Sequence, residues 1–244
     1  MKKTQALITG LLLCTGLTAV KADSILGLYA GYNYWQHDLA DNFESNLLNS
    51  SRSETGNIFY FALEHPVPFL PNIKVQQNEI EGKVSGTNLS IGVDGMIHQI
   101  NSSNKNDISH TDVIFYYEIL DNWLNLDLGM NIKYFDVSTI FYDQDKRIFH
   151  EDIDEWIPML YLKSEIDLPF TGFSAYGSVE ALGTKSTDVT DIEMGINYES
   201  SSGLGIALGY RNLEVDFVSN DIMNNKINSK AKADGFFVGV NVHF

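Results

Sequence analysis

Phe236-Phe237-Val238-Gly239-Val240-Asn241-Val242-His243-Phe244, the end of the 244-residue chain, alternates apolar side chains with small or polar ones. Successive side chains of a strand point to opposite faces. Phe236, Val238, Val240, Val242 and Phe244 therefore form one apolar stripe, while Gly235, Phe237, Gly239, Asn241 and His243 face the other way. A stripe that stops on an aromatic residue reads as the closing strand of an outer-membrane β-barrel. Phe244 is the residue expected to serve as the signal for barrel-assembly machinery.

The amino-terminal end agrees. Lys2 and Lys3 precede an apolar run from Ala6 to Leu13, and Val20-Lys21-Ala22 follows with Val and Ala at −3 and −1, a pattern that suits signal peptidase. Residues 1–22 are thus expected to be an export signal and residues 23–244 the barrel. Cys14 falls inside the signal behind Leu13, where lipidation would call for a small residue, so the mature chain is expected to carry neither a lipid anchor nor a cysteine. An exported chain without disulfides needs another framework, and a closed hydrogen-bonded barrel is one.

Composition narrows the classes further. Loss of Lys2, Lys3 and Lys21 takes the formal charge from −16 to −19, which argues against a nucleic-acid partner. No stretch beyond the signal approaches the ~18–20 apolar residues of a spanning helix. A mean hydropathy of −0.11 is too polar for a helical membrane protein, whereas barrels hide apolar residues in alternation.

That alternation is clearest from Leu124 to Phe135, where Leu124, Leu126, Leu128, Met130, Ile132 and Tyr134 interleave with Asn125, Asp127, Gly129, Asn131, Lys133 and Phe135. The same dyad runs through Thr111–Ile119, Trp156–Leu168 and Ile192–Tyr198. Weaker strands are expected at Ser24–Trp35, Asn57–Glu64, from Ile73–Asn78 onward, at Phe173–Gly183 and at Leu204–Val218. In the last, the apolar phase flips between Tyr210 and Leu213, which predicts either a bulge near Arg211-Asn212 or emergence from the membrane. With the closing strand the count is ten, and eight is the alternative. An even count puts both termini on one side.

Short turn-like links fall at His65–Asn72, Leu120–Trp123, Pro169–Gly172 and Ser200–Gly203, and these are expected to face the periplasm. Long polar links at Gln36–Gly56, Glu79–Ile108, Asp136–Glu155, Thr184–Thr190 and Ser219–Lys232 are expected as extracellular loops, the second of them containing a hairpin. Tyr29, Tyr32, Tyr34, Trp35, Tyr60, Trp123, Tyr134, Trp156, Phe173 and Tyr198 lie toward strand ends, as girdle aromatics do.

Three segments, Glu64-His65-Pro66-Val67-Pro68-Phe69-Leu70-Pro71-Asn72, Tyr116-Tyr117-Glu118-Ile119-Leu120-Asp121-Asn122-Trp123 and Leu168-Pro169-Phe170-Thr171-Gly172, resemble marks of a family of small outer-membrane β-barrel proteins from Gram-negative bacteria. The resemblance covers the mature chain and implies fold and outer-membrane location. It supplies no activity and no catalytic residue.

Little in the chain points to catalysis. Asp152-Ile153-Asp154 and His110-Thr111-Asp112 are similar to elements of omptin-type proteases, but such short spacings arise readily among 32 acidic residues. No G-x-S-x-G occurs, and adjacent Ser109 and His110 would face opposite sides of a strand. Asp143, Asp145, Glu151, Asp152, Asp154 and Glu155 form an acidic loop without the EF-hand pattern, so no metal and no cofactor are expected. By parity the lumen holds Asp112, Glu118, Asp127, Asn131, Glu165, Glu180 and Glu193, along with Asp167, Asp191 and Glu199, against Lys133, Lys163 and Arg211. Tyr29, Trp35, Tyr60, Tyr116, Tyr161 and Tyr176 also point inward by parity and favour a filled interior, and a narrow cation-preferring pore is the alternative. The expected protein is a monomeric all-β, antiparallel up-and-down barrel of structural, surface-binding or small-ligand role. Its expected partners are outer-membrane lipid, lipopolysaccharide and the assembly machinery.

Overall fold

The computed structural model describes residues 26–43, 52–93, 96–143, 146–183, 187–222 and 225–244. The expected export signal and Asp145 lie outside the described residues. Twelve strands occur among those described: β1 (Gly27–Phe43), β2 (Arg52–Glu64), β3 (Asn72–Glu79), β4 (Glu81–Val93), β5 (Met96–Asp107), β6 (His110–Leu120), β7 (Leu124–Asp143), β8 (Lys146–Leu168), β9 (Phe173–Gly183), β10 (Thr187–Glu199), β11 (Leu204–Ile222) and β12 (Asn225–His243). Ten of them pair antiparallel in a closed ring, β1-β2-β3-β6-β7-β8-β9-β10-β11-β12, and β12 returns to β1. The expected count of ten therefore holds for the ring, and eight does not. Closure reaches the last residue, with Phe244 N–H donating to the Leu28 carbonyl at 2.9 Å and Leu28 N–H to the Phe244 carbonyl at 3.1 Å.

β4 and β5 form a hairpin outside the ring, with β5 paired to the far part of β7 from Ser102↔Asp143 to Asp107↔Ser138. A kink separates this hairpin from β3 and β6. There Ile108 N–H donates to the Ile80 carbonyl at 3.0 Å and Ile80 N–H to Ser109 Oγ at 2.9 Å.

The four short turns and the closing contact of Phe244 share one end of the barrel, here called the turn end; the long hairpins share the other. The long polar links read as loops are in large part strand. β7 and β8 stay paired to Asp143↔Lys146, and β1 and β12 to Phe43↔Ser229. Backbone ladders do not need apolar side chains, so they continue past the point where the polar composition suggests a loop.

The phase flip in β11 has the same origin. Tyr210↔Phe236 through Phe217↔Ser229 pair without interruption, and the register shifts only between Ser219 and Ile222, so no bulge lies at Arg211-Asn212. Side-chain parity is conserved while polarity inverts. Near the turn end Leu204, Ile206 and Leu208 are exposed on the outside, whereas toward the hairpin end Leu213 and Val215 are buried on the inside and Asn212, Glu214 and Asp216 lie outside. The barrel is thus apolar outside and polar inside over one half, and the reverse over the other.

Large inward rings need space in a narrow lumen, and glycine opposite them provides it. Gly31 pairs with Tyr60, Gly129 with Tyr116 and Gly195 with Tyr176. A Cβ on Gly31 would lie 2.3 Å from the Tyr60 ring.

Two turns share a Pro-Phe pair, Val67-Pro68-Phe69-Leu70 and Leu168-Pro169-Phe170-Thr171, closed by Leu70 N–H to the Val67 carbonyl and Thr171 N–H to the Leu168 carbonyl. Phe69 and Phe170 have φ of 68° and 67° and both project into the surroundings, Phe69 with 94% of its surface exposed. Proline suits the second position of a type II turn, and the third ordinarily takes glycine because a Cβ is strained there. Phe170→Val is accordingly expected to be less stable than Phe170→Gly by about 1 kcal/mol, because β-branching worsens that strain. Equal denaturation midpoints for the two variants would contradict this turn geometry.

Candidate functional site: the lumen

Three zones stack inside the barrel. Nearest the hairpin end, Trp35, Leu39, Ile58, Ile80, Ile108, Phe135, Ile157, Val189, Leu213 and Val215 form a buried apolar plug. Its outer counterparts in the same strands are polar, among them Gln36, Asp38, Asp136 and Asp154. Trp35, which alternation turns inward although its place near a strand end suits a girdle, belongs to this plug. Its Nε1 donates to the Gly235 carbonyl at 3.1 Å, and His37 packs on it with ring centroids 4.7 Å apart. Tyr29 and Tyr60 likewise turn inward, whereas Tyr34, Trp123, Trp156, Phe173 and Tyr198 are exposed outside.

Beneath the plug lies a buried ionic network. Lys133 Nζ sits 2.8 Å from Asp112 Oδ1, 3.0 Å from Asp191 Oδ2 and 3.2 Å from Glu180 Oε2. Arg211 grips Asp191 with two nitrogens, Nε to Oδ1 at 2.9 Å and Nη2 to Oδ2 at 2.6 Å, and donates through Nη1 to Asn78 Oδ1 at 2.6 Å. The amides cross-link the carboxylates. Asn131 Nδ2 donates to Asp112 at 2.9 Å and to Glu180 at 2.6 Å, and Asn78 Nδ2 donates to Asp112 at 2.9 Å. The network draws one or two side chains from each of β3, β6, β7, β9, β10 and β11, and Arg211 lies 5.3 Å from the Trp35 ring centroid, beneath β1.

Asp112, Asn131, Lys133, Glu180 and Arg211, assigned to the lumen by parity, all meet here. Asn78 and Gln76 join them, although a lone polar residue in a short weak strand carries no signal of such a role. Alternation showed that Arg211 faces inward; it could not show that Asn78, 133 positions away, would touch it.

This arrangement also separates the elements that resemble a protease. His110 and Asp112 are sealed inside, with Nε2 3.6 Å from Oδ2, and His110 Nε2 lies 3.2 Å from Lys133 Nζ. Asp154 is on the outer surface, where it accepts from Tyr134 at 3.2 Å, so the barrel wall stands between the two elements. Glu151, Asp152, Asp154 and Glu155 belong to the paired ladder of β7 and β8 rather than to a loop.

Below the network the lumen opens into a cavity of about 1010 Å³ that reaches the turn end beside Pro66, Pro169 and Phe170. Glu118, Asp127, Lys163, Glu165 and Glu193, also assigned to the lumen, line it, together with Asp167, Glu199 and five tyrosines. Lys163 Nζ pairs with Glu165 at 2.7 Å, Tyr176 donates to Glu193 at 3.1 Å, and Tyr116 donates to Glu64 at 2.7 Å. Phe244 is part of the outer stripe, away from the cavity.

No protein-family model matches the sequence, and no curated protein matches it either. Among solved structures, the translocator domain of the autotransporter NalP from Neisseria meningitidis aligns at 12% identity and a TM-score of 0.43, covering 98% of this chain and 96% of that one. Neisserial surface protein A aligns at 10% identity and a TM-score of 0.35 over 89% of this chain and 97% of that one. The outer membrane protein OprG from Pseudomonas aeruginosa aligns at 10% identity and a TM-score of 0.33 over 90% and 95%. The architecture of this chain itself rests on its own strand register: a closed, ten-stranded antiparallel β-barrel.

Proposed function

We propose that the chain is an integral protein of a Gram-negative outer membrane, with a closed, non-conducting lumen and a structural or small-molecule-binding role rather than a catalytic one. The outer belt supports the membrane setting. In β7 the outward stripe from Leu124 to Tyr134 spans about 34 Å of strand, or about 25 Å of height at the ~40° tilt usual in such barrels, which matches their apolar band. Trp123, Phe173 and Tyr198 lie at one border of the belt, and Tyr34, Trp156 and Phe236 near the other. In this setting the turn end faces the periplasm, the polar-surfaced hairpin end rises into the lipopolysaccharide, and a single chain suffices because the ring has no open edge within the belt.

The observation that carries the reading is the seal made by the ionic network and the apolar plug. Two cations and three carboxylates held at 2.6–3.2 Å leave no path for a hydrated ion, and the apolar side chains above them offer no hydration. Purified protein in planar bilayers is expected to show no steady conductance. A stable open level, whatever its selectivity, would overturn the closed reading and revive the cation pore.

A further inference from the structure

We infer that the cavity at the turn end is a binding site for an organic polycation, an aliphatic amine carrying more than one ammonium group. The site is built around Asp127 of β7. This side chain is 7% exposed, yet its carboxylate has no hydrogen-bond or ion-pair partner among the described residues. Its ladder neighbours explain why. Asp127 pairs across strands with Glu118 on one side and Lys163 on the other, and the Lys163 ammonium is in direct contact with Glu165 at 2.7 Å. A carboxylate that opens into the cavity beside a like charge, with its nearest cation in direct contact with another carboxylate, is left free to take up a further cation.

The rest of the wall selects the kind of cation. Apart from the residues of the ionic network, eight carboxylates line the cavity against two lysines, so the interior attracts positive charge. Tyr116 and Tyr161, both paired with Gly129 two residues along β7 from Asp127, have ring centroids 6.0 Å apart, and tyrosine faces attract ammonium groups. The chain's own lysines already use this chemistry. Lys74 Nζ lies 4.9 Å from the Tyr60 centroid and Lys163 Nζ 5.9 Å from that of Tyr176. A bare divalent ion fits less well, because it wants six or more oxygens converging at close range. No group of three or more acidic, histidine or cysteine side chains among the described residues is gathered closely enough to hold a metal. Carboxylates spread along a cavity of about 1010 Å³ suit charges spread along a flexible amine.

The barrel setting proposed above gives this site access from the periplasm, and the site can fail without that setting failing. The test is calorimetric titration of spermidine into the full-length barrel, refolded in an uncharged detergent at fixed ionic strength. Saturable binding is expected, weakened at least about tenfold by Asp127→Asn and by Glu118→Gln, and unchanged by Asp154→Asn on the outer face. Loss of heat-modifiable gel mobility identifies a variant that has not folded, in which case the other inner variant decides. No saturation by about 1 mM, or equal affinity in the inner variants, would overturn the site. Displacement of spermidine by magnesium at matched ionic strength would overturn the choice of an organic cation. A barrel that stays folded and electrically silent but does not bind spermidine would remove this inference alone.

Discussion

Lys133→Met is expected to destabilise the folded barrel by about 3–5 kcal/mol, the usual cost of leaving a buried charge network without one partner. Lys133 is fully buried and contacts Asp112, Glu180 and Asp191 within 3.2 Å. Without it Arg211 alone faces three carboxylates, and methionine fills the stem's volume without replacing the ammonium. Adding Asp112→Asn should recover part of the loss, because it removes one of the uncompensated charges. The two changes share a partner and are expected to be non-additive by about 0.5–3 kcal/mol. Urea titration of the refolded single and double variants measures this. A loss below about 1 kcal/mol in Lys133→Met would mean that the cluster does not fasten the strands together.

The second large effect concerns the outer face. Leu128 is 51% exposed in the middle of the apolar belt, so Leu128→Arg is expected to cost about 2–4 kcal/mol when the barrel is folded in lipid vesicles. Gln36 also points outward and is exposed, but it lies beyond the belt, so Gln36→Arg should change stability by no more than about 0.5 kcal/mol. If the two variants had equal midpoints, the belt would not be in contact with hydrocarbon. Asn131→Arg is expected to be damaging too, although Asn131 faces the lumen rather than lipid. Asn131 is fully buried between Asp112 and Glu180, and a longer side chain has no room there.

The amino-acid sequence by itself determined which segments are strands and which side of each faces in, because side-chain direction alternates with every residue and needs only local information. That is why Asp127, Lys133, Glu180 and Arg211 could be assigned to the interior and Leu128 to the exterior, and why the four short turns could be placed at one end. The tertiary structure alone decided which inward residues meet. Closure of the ring brings Asn78 to Arg211 and Trp35 to Gly235, and it leaves Asp127 beside Glu118 while Lys163 contacts Glu165. It also decided where strands end. Past the apolar belt, the hydrogen-bonded ladders of β7–β8 and β1–β12 persist through polar sequence, and the same parity that exposes Leu208 buries Leu213. A change of surroundings from lipid to water inverts the polarity of both faces without moving a single residue out of register, and surroundings are a property of the assembled barrel rather than of any one strand.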